Sequence, residues 1–239
     1  MLIKLLKTFF KKKFYKMIPI KFLLKKIRLL LLSSQREKNL AKIISKQILL
    51  LTKDKSNITI LDYGSGYEPL VINLIYKNIK NKYKTVNIRC CDYYTNNQVK
   101  KLNKKNKNIK FFKIDKLRSI KKKYDISICA DVLHHVGVDN LTGIKKILSF
   151  LKNKSKNIFI KDHYESSIFS RQLLRFMDFV GNYYNGVNIP DKYFTRNSIA
   201  NILKKSNLKL TKEINNYQYY SKIFLFFSNP RLHFIKILN

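Results

Sequence analysis

Short apolar runs alternate along this chain with longer stretches whose apolar residues recur every three or four positions. The runs 58–62 (ITILD), 85–91 (TVNIRCC), 108–115 (NIKFFKID), 124–130 (YDISICA) and 157–161 (NIFIK) have strand length and strand composition. Helical spacing lies between most of them, and a further helix precedes the first. Ser34-Gln35-Arg36-Glu37 has capping-box spacing, and Leu40, Ile43, Ile44, Ile48 and Leu51 follow on one face. Two more β-like runs, around 207–213 and 222–228, close the chain. Repeated strand–helix alternation predicts an α/β fold with a doubly wound, mostly parallel, seven-stranded sheet. Residues 34–239 then form one domain. Within it the aromatic-rich stretch 162–197, with Gly181, Gly186 and Pro190, would lie over the carboxyl ends of the strands as a substrate lid. There is no internal repeat.

Residues 1–33 read differently. The first 32 carry nine Lys and one Arg without a single acid, interleaved with Leu, Ile and Phe. On a helix, Leu2, Ile3, Leu6, Phe9, Phe10, Phe14 and Met17 share one side and Lys4, Lys7 and Lys11 the other, although Lys13 interrupts the apolar face and Pro19 would break or restart the helix. Such a segment suits an anionic membrane surface, and it equally suits an arm packed on the domain with its Lys stems laid along apolar surface. No stretch approaches the roughly 18 uninterrupted apolar residues of a membrane span.

Charge changes the picture less than it first suggests. The 239 residues hold 50 basic and 14 acidic side chains, a net charge of +36, which points toward nucleic acid. Yet most of the cations are Lys, and Ala, Gly and Trp are scarce while Asn and Ile abound, a skew expected of an AT-rich coding bias. Nucleic acid is therefore the less favoured partner. Cys90, Cys91 and Cys129 sit inside strand-like runs with no metal-ligand spacing, so buried reduced thiols in a cytoplasmic protein are expected. Neither a disulfide framework nor a metal is implied.

Against only 14 acids, four stand at the ends of four successive strands. The first run ends in Asp62-Tyr63-Gly64-Ser65-Gly66, whose glycines would let backbone approach a ligand beyond the strand end, where open parallel sheets bind ligands. The second ends in Asp92-Tyr93, where a carboxylate could accept from both hydroxyls of a ribose, and the third in Asp115, placed to meet a base edge. The fourth ends in Ala130-Asp131, followed by His134-His135. The fifth runs into Lys161-Asp162-His163, and an Asp–His pair can take a proton from a hydroxyl, amine or acidic carbon.

These segments, DYGSG, the Asp92 and Asp115 strand ends and YDISICADVLHHV, resemble the cofactor motifs of class I S-adenosylmethionine-dependent methyltransferases over roughly residues 36–239. The Leu-His-His ending is most similar to the small-molecule branch that includes quinone-biosynthesis enzymes. The resemblance implies an S-adenosyl-L-methionine site in which Asp62, Tyr63, Gly64, Ser65 and Gly66 border the methionine moiety, Asp92 and Tyr93 the ribose, Asp115 the adenine amino group, and Ala130 and Asp131 the floor. Glu68 stands where a third glycine is frequent, and Pro69 removes the glycine that a GxGxxG nicotinamide loop would need. Above that site, His135, Asp162 and His163 are the expected catalytic groups, and His134, Asn182 and Tyr193 the expected acceptor contacts. The expected reaction is methyl transfer to a small or lipid-like molecule. RNA methylation and a catalytically inactive binding module are the alternatives.

Overall fold

The computed structural model describes residues 34–119, 121–182, 187–215 and 230–239. The basic arm expected over 1–33 and the β-like run 222–228 lie outside them. In chain order the elements are α1 (Ser34–Leu51), β1 (Asn57–Tyr63), α2 (Leu70–Ile79), β2 (Thr85–Asp92), α3 (Asn96–Lys105), β3 (Ile109–Lys113), β4 (Tyr124–Ala130), α4 (Leu133–Val136), α5 (Leu141–Lys154), β5 (Ser155–His163), α6 (Ile168–Asn182), α7 (Arg196–Lys205), β6 (Leu210–Asn215) and β7 (His233–Leu238).

One seven-stranded sheet has the order β3-β2-β1-β4-β5-β7-β6. β1 to β5 pair in parallel, and β7 runs antiparallel to both of its neighbours. The strands read as nearly continuous apolar runs because both faces are covered. Alternate residues go to opposite layers: Ile58, Ile60, Ile88, Cys90, Ile126 and Ile128 meet α1 and α2, whereas Leu61, Cys91, Cys129, Ile158 and Ile160 meet α5 and α7. The helices supply matching stripes, with Ile72, Ile75 and Ile79 buried on α2 and Ile144, Leu148 and Leu151 on α5. All three cysteines are buried and free.

Three expectations need adjusting. The closing strand is His233–Leu238, a run whose His233 and Lys236 disguise it; both are buried, and Lys236 pairs with Glu213 on β6. β5 extends beyond 157–161 to Ser155–His163 because its polar end is as buried as its apolar middle. β3 stops at Lys113, which leaves Asp115 in the 3-10 turn Ile114–Ser119. The strand order reverses between β1 and β4, and the crevice outside the carboxyl ends at such a switch point is where an open α/β sheet takes a ligand.

Candidate active site

At the end of β1 the chain turns through Gly64 (φ 76°) and Gly66 (φ 70°), both left-handed. A Cβ on Gly64 would come within 2.4 Å of a Val132 methyl, so this position demands glycine twice over. The turn is fastened to β2. Gly64 N donates to Cys91 O (2.8 Å), Gly66 N donates to Asp92 Oδ2 (2.7 Å), and the Tyr94 hydroxyl donates to Gly66 O (2.7 Å) while accepting from Ser65 Oγ (2.7 Å). The second Asp92 oxygen accepts from Tyr93 N (2.7 Å). Asp62 lies under this turn, and among the described residues no cation stands beside it. Burial first, and then the charge of Asp92, raise its pKa to about 7.

The ends of β4 and β5 are built from side chains instead. Asp131 follows β4 with φ 57°, a strained setting for a residue with a Cβ. Its carboxylate meets three donors: the buried Lys161 ammonium, His163 Nε2 at 3.0 Å and the Arg36 guanidinium of α1 at 2.8 Å. Burial works against its charge, but these cations, Lys161 foremost, hold its pKa well below the usual carboxylate range. Beside it, Asp162 Oδ1 accepts from His134 Nδ1 at 2.6 Å, and His134 Nε2 faces Asp178 Oδ2 of α6 at 3.4 Å. Burial opposes a charge on His134, yet Asp162 and Asp178 overcome it and raise its pKa to about 10. His163 Nε2 carries the proton that Asp131 accepts, so its Nδ1 accepts from His233 Nδ1 at 2.9 Å. Burial and Lys161 keep His163 neutral by lowering its pKa. His135 donates Nδ1–H to Asn188 O (3.0 Å); burial and then His134 lower its pKa.

All four histidines of the chain thus meet in one cluster, with ring centroids 4.0 Å apart for His134–His135, 5.1 Å for His134–His163 and 4.8 Å for His163–His233. A cavity of about 230 Å³ joins the two constructions. One wall is Asp62, Gly64, Ser65 and Gly66, the other Asp131, His135, His163 and Asp178, and Leu40, Ile72, Ile75, Leu174 and Met177 supply the apolar part.

A family model described as a methyltransferase domain matches residues 32–213. This chain belongs to the methyltransferase-domain family. No curated protein matches it by sequence. Among solved structures, mitomycin 7-O-methyltransferase MmcR superposes with a TM-score of 0.54 at 13% identity, over 86% of this chain and 54% of its own. LepI in complex with SAM gives 0.56 at 12% identity, over 82% and 46%. A TehB-like SAM-dependent methyltransferase from Corynebacterium glutamicum gives 0.51 at 9% identity, over 84% and 86%. The chain spans about half the length of the first two. At these identities the likeness is one of fold, the seven-stranded α/β methyltransferase sheet.

Within this methyltransferase domain the expected residues are distributed unevenly. Asp62, Gly64, Ser65, Gly66, Ala130, Asp131, His135 and His163 line the cavity. Tyr63 is half-buried on β1, against Phe150. Asp92 stands at the rim through its bond to Gly66, and Tyr93 points outward, 78% exposed. Asp115 does not line this cavity; it is exposed and paired with Lys113 at 3.7 Å. The expected Asp162–His163 side-chain pair does not form. Asp162 spends its carboxylate on the His134 ring and on the His163 backbone N (2.8 Å), because adjacent strand residues point to opposite sides of the sheet. His134 and Tyr193, read as acceptor contacts, are buried instead; the Tyr193 hydroxyl donates to Asp178 at 2.5 Å. Asn182 closes α6.

Sequence reasoning misses Arg36, Tyr94, Lys161, Asp178 and His233 as site residues. Asp178 carries a legible signal, since it falls four residues after Leu174 on the face of α6 that is buried. His233 carries none, being 70 residues from its partner His163.

Proposed function

We propose that this protein is an S-adenosyl-L-methionine-dependent methyltransferase acting on a small or lipid-like acceptor. The observation that carries the reading is the single cavity that places the Gly64–Gly66 turn opposite His135, His163 and Asp178. The residues fit the cofactor: two left-handed glycines leave backbone open to close approach, Asp92 holds the rim where a ribose diol would be met, and the uncompensated Asp62 carboxyl suits a ligand that brings positive charge. When bound, S-adenosylmethionine supplies an electrophilic methyl on a sulfonium.

This chain's own residues then orient and desolvate. Leu174 and Met177 of α6 supply part of the apolar side, so α6 acts as the lid of the site, and in-line placement away from bulk water lowers much of the barrier. Asp131, locked by Arg36, Lys161 and His163, fixes the floor. His163 has both ring nitrogens engaged and is a positioning residue. His135, whose pKa burial lowers, is the group of this wall able to receive the acceptor's proton. At about 230 Å³, with Asp62, Asp131, His135 and Asp178 lining it beside Leu40, Ile72, Ile75, Leu174 and Met177, the cavity suits a small acceptor with both a polar and an apolar part better than a polymer.

The test supplies labelled methyl donor to cell extract with the purified protein. Label should enter the organic-soluble fraction and should not do so with the His135→Ala variant. Label that stays in RNA and disappears with ribonuclease would assign the protein to the basic-surface, RNA-methylating alternative. Attachment of residues 1–32 to anionic membrane is a separate proposal, tested by salt-sensitive liposome binding that the truncated chain loses. Among the described residues no helix is long and apolar enough to cross a membrane.

A further inference from the structure

His134 Nε2 and Asp178 face each other in the protein interior without forming a hydrogen bond. Asp162 accepts from Nδ1 at 2.6 Å, which keeps a proton on that nitrogen and leaves Nε2 as the ring atom that faces a second partner. Nε2 faces carboxylate oxygen Oδ2 of Asp178 at 3.4 Å and, fully buried, makes no hydrogen bond among the described residues. Something positive belongs between them. A proton would leave a long and badly aligned contact where charged partners normally close to below 3 Å. A metal ion explains the spacing: two ligands each about 2.0–2.1 Å from a tetrahedral zinc stand about 3.3 Å apart.

From this geometry we infer that His134, His135 and Asp178 form a zinc-class divalent metal site, with the fourth ligand position open to the cavity. One ligand atom from each of the three lies within 4.8 Å of the others. Each also has the outer partner that metal ligands usually carry. Asp162 orients His134, the Asn188 carbonyl orients His135, and the Tyr193 hydroxyl holds Asp178. Tyr193 is itself pinned, its amide donating to Glu165 Oε2 at 2.9 Å. Two neutral imidazoles and one carboxylate, with Asp162 behind them, balance a doubly charged ion, and nitrogen-rich donor sets of this kind favour zinc over magnesium or calcium. The neighbouring trio Asp131, His134 and His163 is the weaker candidate, since Lys161 and Arg36 already neutralise Asp131 and both His163 nitrogens are engaged. A three-ligand site with one open position is the catalytic rather than the structural pattern. Its use, holding an oxygen of the acceptor, rests on the methyl-transfer reading; through the ion, His135 and Asp178 would act on the acceptor by charge instead of by direct proton removal. The site itself rests on the geometry alone.

The test uses the full-length, untagged chain purified without chelator. Elemental analysis should find about one zinc per chain. After stripping, added zinc should raise the melting temperature, and competition with a chromophoric chelator should give one tight site. His135→Ala, a change at the least buried ligand, should weaken zinc by about 100-fold or more, and Tyr193→Phe, which removes only an outer partner, by about 10-fold. Calorimetry with S-adenosylmethionine runs in parallel, so loss of one finding does not take the other with it. Zinc below a tenth of an equivalent, with no zinc-dependent stabilisation of the stripped protein, would overturn the site and leave His134 as an imidazolium spanning Asp162 and Asp178. Zinc bound equally by the wild type and His135→Ala would overturn it too.

Discussion

The two walls of the cavity treat buried carboxylates in opposite ways. At the β1–β2 wall, Asp62 has burial and a like-charged neighbour but, among the described residues, no cation, and its pKa rises to about 7. At the β4–β5 wall, Asp162 and Asp178 are just as buried and Asp131 is partly so, yet Lys161, Arg36 and His134 stand against them and hold all three below the ordinary range. A buried charge persists where the protein supplies its partner and is suppressed where it does not. Asp131 and Asp162 therefore have counter-charges built into the β4–β5 wall, whereas Asp62 on the β1–β2 wall would gain one from a cationic ligand. The methionine end of S-adenosylmethionine, with its ammonium and sulfonium, is such a ligand.

The largest expected consequence is a pH effect at Asp62. Its folded pKa lies above the unfolded value of 3.8. Between the two the folded state holds the extra proton, so stability falls as pH rises from about 4 to about 7. Asp62→Asn removes the titration. Relative to the wild type, the variant should gain about 4 kcal/mol in unfolding free energy between pH 4 and pH 8, since one pKa unit is about 1.4 kcal/mol. Denaturant melts at both pH values measure this, and a constant difference would place Asp62 in an ordinary carboxylate environment.

Next in size is Lys161→Met, which strips the buried cation from the opposite wall. Breaking a buried pair from one side costs about 3 kcal/mol. Arg36→Gln should cost only about 1 kcal/mol, because that side chain is 21% exposed whereas Lys161 is 1% exposed. Equal losses in chemical denaturation would contradict the assignment of Lys161 as the principal counter-charge.

The glycine turn should respond to sterics rather than charge. Gly64→Ala meets both a left-handed φ and the Val132 methyl and should cost about 2 kcal/mol, whereas Gly66→Ala has open space around it and should cost about 1 kcal/mol for φ alone. Val132→Ala in the Gly64→Ala background should restore the overlap part only. Thermal melts that rank Gly66→Ala as the worse variant would mean that the turn is held in some other way.

The same contrast separates what is legible in the amino-acid sequence from what is not. Fold and β1–β2 wall are written locally: strand runs, helix stripes and DYGSG each occupy a few consecutive residues, and left-handed glycines announce themselves. The β4–β5 wall is written across the chain. His134 finds Asp162 at a separation of 28 residues and Asp178 at 44, and His163 finds His233 at 70. The adjacency Asp162-His163 suggests a pair that strand alternation forbids. β7 hides for a related reason, since His233 and Lys236 lower its apolar score although both are compensated by partners elsewhere in the sheet.

The central claim is that the uncompensated wall takes the cationic cofactor. Calorimetric titration of the protein with S-adenosylmethionine at pH 6, repeated in two buffers of different ionisation enthalpy, tests this most directly. Saturable one-site binding is expected, with release of up to about one proton as Asp62 ionises against the ligand's positive charge, and with a roughly 10- to 100-fold weaker affinity in Asp92→Ala from the loss of charged hydrogen bonds. Absence of binding heat in both buffers would contradict the claim, as would binding that releases no proton.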